Sequence, residues 1–275
     1  MQEILKKIYP HTKKQAVNDI LKIYEKNWFV VSNFVYFAIV KVQKLFEITK
    51  KTTRQKEYKK AIMKWDFLLP DGIALQTFYN LASKQFNLPT KKLSNLNGTD
   101  FIPFFLDELK KRYWWQKICL SLYWAKPDIV KDAKKEFTYK WFNVVFSQDW
   151  FSELDRDKMI SKQNNYQDTI NILLVARSTP DNPIQELRTI KNWTNIKKHK
   201  LMVFTVWWFF DFLAWEWTKK RYKKWIQKRA PKFVRKLKLE RLRRLITDPK
   251  RNYKKVKNSF SIFPYILRYL LLKKG

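Results

Sequence analysis

Six short apolar runs recur along the chain: FVVSN at 29–33, DFLLPD at 66–71, KICLSLY at 117–123, NVVFSQD at 143–149, INILLVA at 170–176 and LMVFTV at 201–206. Between them, segments such as 73–86, 100–111 and 128–137 place apolar residues three and four positions apart, the period of a helix with one buried face. Runs that are apolar throughout belong to strands buried on both faces. Their alternation with amphipathic helices predicts a mostly parallel sheet covered by helices on both sides. Ligands of such sheets bind beyond the carboxyl ends of the strands, so the residues that close each apolar run are the candidates for chemistry.

The pattern changes after Trp217. Residues 219–257 hold 19 Lys or Arg against two acids, Glu240 and Asp248, at helical spacing, with Pro231 and Pro249 placed to start new helices. The closing SIFPYILRYLLLKKG is apolar and aromatic with basic ends, the composition of an amphipathic segment for a membrane surface. The chain therefore divides into an α/β core, 1–218, and a basic helical appendage, 219–275, for which a solvated basic face docked on the core is the rival reading. The segment 201–215 is strongly apolar but short for a membrane span and carries Asp211. The N-terminal MQEILKKIYPH lacks an apolar stretch of signal-peptide length, so a cytoplasmic location is expected.

A formal charge of +34 calls for polyanionic partners: nucleic acid, anionic lipid head groups or phosphorylated substrates. Chemistry is narrowed as well. A single cysteine, Cys119, excludes a disulfide framework, and two distant histidines, His11 and His199, leave no material for a His-based zinc site or a Ser/His/Asp triad.

Thirteen tryptophans stand against three glycines, where average usage gives about 7% Gly. Trp28, Trp114, Trp115, Trp124 and Trp150 occupy turn positions, and VWWFFDFLAWE at 206–216 becomes a glycine-rich turn after an apolar strand once Trp207, Trp208 and Trp215 are replaced by Gly. A gene whose UGA codons specify glycine, translated with UGA as tryptophan, accounts for this placement. Genuine tryptophan at a membrane interface is the alternative.

Eight landmarks occur in order: a strand ending in Asn33, LLPDG at 68–72, NGTD at 97–100, LSLYWAK at 120–126, TPDNPIQE at 179–186, VWWFFDFLAWE at 206–216, RAPKF at 229–233 and LERLRRLITDPKR at 239–251. Over about residues 28–260 the sequence resembles the WecG/TagA/CpsF family of bacterial glycosyltransferases, which has glycine at the positions of Trp124, Trp150, Trp207, Trp208 and Trp215. The resemblance implies a Rossmann-like fold. It also implies inverting transfer of an N-acetylmannosamine-type sugar from a UDP-sugar donor to a polyprenyl-diphosphate-linked N-acetylglucosamine in cell-surface polysaccharide synthesis, such as that of teichoic acid, by a protein peripheral on the inner face of the cell membrane, an anionic membrane surface. No cofactor and no nucleic acid are expected.

Such a transferase needs a carboxylate to take the acceptor's proton. Asp71, closing DFLLPD and followed by Gly72, is the candidate base, although a PDG triplet alone reads as a turn. Ser32 and Asn33 close the first apolar run and are expected to hydrogen-bond the sugar. Thr99 and Asp100 are expected to bind substrate or to cap a helix. Asp211, behind the glycine-rich turn, reads as a ribose ligand or as a helix-capping residue. The resemblance adds Gln185, in a stretched form of the family's PxQE motif. It also adds Arg244, Arg251 and Lys254 as cations for the diphosphates. Two departures stand out: Lys254 where the family has a guanidinium, and Asn95 where it has an arginine. No metal is expected, since no DxD triplet ends a strand and SELDRD at 152–157 reads as a helix start. A nucleic-acid-binding protein and an inactive membrane-associated relative are the alternative functions.

Overall fold

The computed structural model describes residues 2–36, 63–90, 92–114, 117–123, 125–149, 151–166, 168–176, 199–206 and 209–218. Two N-terminal helices, α1 (Gln2–Lys7) and α2 (Lys13–Asn27), precede β1 (Phe29–Tyr36). There follow β2 (Phe67–Asp71), α3 (Ile73–Ala82), α4 (Gly98–Arg112), β3 (Ile118–Tyr123) and α5 (Pro127–Tyr139). The remaining described elements are β4 (Asn143–Gln148), α6 (Arg156–Asn164), β5 (Ile170–Val175), β6 (Leu201–Thr205) and α7 (Phe209–Thr218).

All six apolar runs are strands, and they form one sheet in the order β2-β1-β6-β5-β3-β4 with every pair parallel. The sheet separates two apolar layers because successive side chains of a strand point to opposite faces. Val30, Phe34, Phe67, Leu69, Met202 and Phe204 pack in one layer with residues of α2, α4, α5 and α7. Val31, Val35, Leu68, Leu201 and Val203 pack in the other with residues of α1, α3 and α6. Helices thus cover both faces, as a chain of continuously apolar strands requires. The outer edge of β2 is closed by the N-terminal segment: Ile8 bridges Leu68 in parallel, and the Tyr9 N–H donates to the Leu68 carbonyl at 2.9 Å.

Two helix ends are unusual. α5 finishes in a Schellman arrangement: the Phe142 N–H donates to the Phe137 carbonyl, the Trp141 N–H to the Thr138 carbonyl, both at 3.0 Å, and the Phe137 and Phe142 rings meet edge to face. Its left-handed residue is Trp141, at φ 65°. Helix α2 ends on Trp28 at φ 57°, whose N–H donates to the Tyr24 carbonyl. A residue with a Cβ costs about 1–2 kcal/mol in this conformation, which is why glycine is the usual occupant. Lys200 lies over the Trp28 ring at 4.0 Å, a contact that recovers about 0.5–1 kcal/mol at an exposed site.

The strand expected to end at Asn33 continues to Tyr36, so β1 is the longest strand described and Asn33 lies within it. Asn33 stands beside Leu68 of β2 and Thr205 of β6. The appendage 219–275 lies outside the described residues.

A candidate active site at the carboxyl end of β2

Strand β2 ends in Asp71, and three backbone contacts tie that end to the segment leading into α4. The Leu96 N–H donates to the Pro70 carbonyl at 2.8 Å, and the Gly72 N–H donates to Asn95 Oδ1 at 2.9 Å. The Gly98 N–H, the first of α4, donates to the Asp71 carboxylate. The segment is itself anchored on α3, where Asn80 Oδ1 accepts the Leu93 N–H at 2.8 Å and the Gln76 side-chain amide donates to the Leu93 carbonyl.

Both internal glycines serve this corner. Gly72 turns the chain at φ 89°, a conformation that residues with a Cβ rarely adopt. Gly98 lies against the Phe34 ring so closely that a Cβ would stand 3.2 Å from it, so a larger residue here would have to push that ring aside.

The electrostatics of Asp71 follow from that packing. Desolvation is the largest influence and raises its pKa, the Gly98 N–H opposes this, and the neighbouring Asp100 charge adds to it; the result is a carboxyl pushed up to about 6. The residue keeps partial exposure to solvent, so a ligand can reach it. A carboxylate that is ionised at neutral pH yet poised to accept a proton suits a general base.

Thr99 and Asp100 sit in the first turn of α4. The N-cap is Asn97, which the chain reading passed over as a candidate although Asn is a preferred N-cap type. Its Oδ1 accepts the Asp100 N–H at 3.0 Å and the Thr99 hydroxyl at 2.7 Å, while its Nδ2 donates to Asp100 Oδ2 at 2.9 Å. Thr99 and Asp100 therefore take part in capping, and Asp100 also acts on Asp71 through its charge.

Ser32 and Asn33 are fully buried and point to opposite faces of the sheet, as the layers of their neighbours Val31 and Phe34 show. Ser32 lies on the face of Asp71, between Phe67 and Phe204 in register. Asn33 lies on the other face, where its Oδ1 accepts the Thr205 hydroxyl at the end of β6. Ser32 Oγ and Asn33 Nδ2 have no hydrogen-bond partner among the described residues.

Asp211 sits in the first turn of α7, next in the chain after the end of β6. Desolvation raises its pKa, its own N–H and the Lys126 charge lower it, and the Asp128 charge raises it. Lys126 and Asp128 begin α5, beyond the carboxyl end of β3, so Asp211 belongs to a second corner of the same sheet edge. Gln185, Arg244, Arg251 and Lys254 lie outside the described residues.

Among the described residues, no three of His, Cys, Asp and Glu converge as a metal site would require. No described helix is long and apolar enough to cross a membrane. Asn95 and Gly98 were not singled out as site residues in the sequence; only their hydrogen bonds, made between positions 23 apart for Asn95 and Gly72, reveal them. No curated protein matches the chain. The sequence profile described as Glycosyl transferase WecG/TagA/CpsF family matches residues 6–275, nearly the whole chain.

Proposed function

The chain belongs to the WecG/TagA/CpsF glycosyl transferase family, and we propose that it moves an N-acetylmannosamine-type sugar from UDP to a polyprenyl-diphosphate-linked N-acetylglucosamine. The observation that carries this reading is the Asp71 corner: a partly exposed carboxylate at the carboxyl end of a parallel strand, held by a helix N–H and raised to about 6. In the reaction, Asp71 takes the proton from the attacking acceptor hydroxyl while the new bond forms at the anomeric carbon. UDP leaves from the opposite face with the bonding electrons, which inverts the centre. Asp211, behind β6, suits a donor hydroxyl, and Ser32 Oγ and Asn33 Nδ2, without partners among the described residues, supply polar groups on the two faces of β1.

The basic appendage supplies the cations. Arg244, Arg251 and Lys254 neutralise the diphosphates, and the surrounding Lys and Arg hold the protein at an anionic bilayer, at about 1 kcal/mol per residue. Catalysis in this scheme needs no metal, cofactor or nucleic acid.

The test is a transfer assay with UDP-N-acetylmannosamine and polyprenyl-diphosphate N-acetylglucosamine. It is run on the chain as printed and on the chain with glycine at its thirteen tryptophan positions. Product is expected from at least one of them, with none from its Asp71→Asn variant while UDP binding persists. Absence of product from both parents removes the donor and acceptor assignment, and full turnover by Asp71→Asn removes the base.

A further inference from the structure

Asn95 is a residue to which the transfer reaction assigns no part, and its side chain is spent on one backbone group: the N–H of Gly72, the residue that follows Asp71. That bond closes a frame around the strand end. Leu96 holds Pro70 from one side, Asn95 holds Gly72 from the other, and Gly98 holds the Asp71 carboxylate itself. Gly72 turns the chain from β2 into α3 at a positive φ, and the bond to its N–H holds that turn. The frame is stiff on its far side because Asn80 and Gln76 of α3 grip Leu93.

We propose that Asn95 is a positioning residue: its amide oxygen fixes the Asp71–Gly72 turn so that the Asp71 carboxylate is presented at a constant angle to the acceptor. The proposal rests on Asp71 being the base. Among the described residues, the charged group set against Asp71 is Asp100 at the start of α4.

Three variants of the active parent test it by steady-state kinetics across pH. Asn95→Ala removes the acceptor and is expected to lower kcat about 10–100-fold, with the donor KM changed little, since small displacements of a reacting group have effects of this size. Asn95→Asp restores an acceptor and is expected to recover most of kcat, with the acid limb of the pH profile moved to higher pH by the added negative charge. Asp71→Asn is the control. If Asp71→Asn is inactive while Asn95→Ala keeps the parent's kcat, or Asn95→Asp leaves the acid limb in place, the positioning role is overturned and the base assignment survives. If Asp71→Asn is active, the base assignment falls first.

An independent observation concerns what the gene encodes. Of the four described non-glycine residues with positive φ, two are tryptophans, Trp28 and Trp141, and both end helices where the hydrogen bonds define a glycine position. Their rings are substantially exposed, at 49% and 70%. We infer that positions 28 and 141 are glycine in the native protein, encoded by UGA and read as tryptophan only in a standard translation.

Sequencing the gene tests this directly: UGA at both positions is expected, and UGG at either of them overturns the assignment there. Tryptic peptides of the protein made by its own host are expected to carry the mass of glycine at these sites, and tryptophan masses overturn it. In the recombinant tryptophan chain, Trp141→Gly is expected to raise Tm by about 2–4 °C and to exceed Trp141→Ala, which keeps a Cβ in the left-handed conformation. A Trp141→Ala variant as stable as Trp141→Gly contradicts the conformational argument.

Discussion

Two carboxylates near the carboxyl edge of the sheet invite comparison, Asp71 on the edge strand β2 and Asp211 at the start of α7. Desolvation raises both. Their companions differ in sign: Asp71 faces a like charge, Asp100, and one helix N–H, whereas the Lys126 cation acts on Asp211 against the Asp128 charge. At Asp71 desolvation outweighs the one helix N–H and the Asp100 charge adds to it, which makes a group that welcomes a proton, as a base requires. At Asp211 the Lys126 cation opposes desolvation and favours the charged form, which accepts the hydrogen bonds that a ligand for sugar hydroxyls must accept. One sheet edge can thus carry two acids in different roles because two different helix starts supply their surroundings.

The largest test of that contrast is at Asp71. Asp71→Asn is expected to lower kcat about 10²–10⁴-fold, the range for loss of a general base, with the parent's activity falling below pH about 6 as the carboxyl takes up its proton. Stability moves the other way. A carboxyl raised in the folded state binds more protons than in the unfolded state between the usual aspartate value and about 6, so the parent loses stability as pH rises through that window. Asp71→Asn is therefore expected to be about 1–2 kcal/mol more stable than the parent at neutral pH, with the gap closing below pH about 4. Denaturant melts at several pH values measure this, and an equal gap at every pH contradicts the desolvated site.

At the second corner, Asp211→Asn is expected to raise the donor KM about tenfold with kcat nearly unchanged, in line with the strength of a charged hydrogen bond. A fall in kcat as large as that of Asp71→Asn erases the division of roles. Lys126→Ala comes next, with a rise in donor KM of only a few fold, greatest at acid pH because Asp211 then holds its proton more readily. Smallest is Ser32→Ala, which deletes a buried hydroxyl that has no partner among the described residues and so is expected to shift stability by less than about 0.5 kcal/mol. A clear rise in donor KM for Ser32→Ala, measured in the same assay, instead brings Ser32 against the sugar.

Asn33 shows how a strand reading can be right about the element and short about its extent. Polar Ser32 and Asn33 looked like the close of an apolar run, but β1 goes on through Phe34 and Val35, which fill opposite layers of the core. Of these two buried polar residues in mid-strand, Asn33 is accommodated by a hydrogen bond from Thr205, at the end of the neighbouring strand. The helix starting near Thr99 was legible from its apolar period, while its true cap, Asn97, was hidden by the equally cap-like Thr and Asp that follow it. Arg244, Arg251, Lys254 and Gln185 rest on the family's motifs.

Local pattern alone determined the six strands and the parallel α/β class, because continuous apolar runs can be buried only between two helical layers; it also put Asp71 at the ligand edge, while its choice as base needed the ordered family landmarks. What only the tertiary structure decided was the company each acid keeps. The strand order, the Asn95 bond to Gly72, the approach of Gly98 to Asp71 and the side-to-side separation of Ser32 from Asn33 all join segments distant in sequence. Charge and desolvation act through space, so a carboxylate's role depends on neighbours that its own stretch of sequence does not contain.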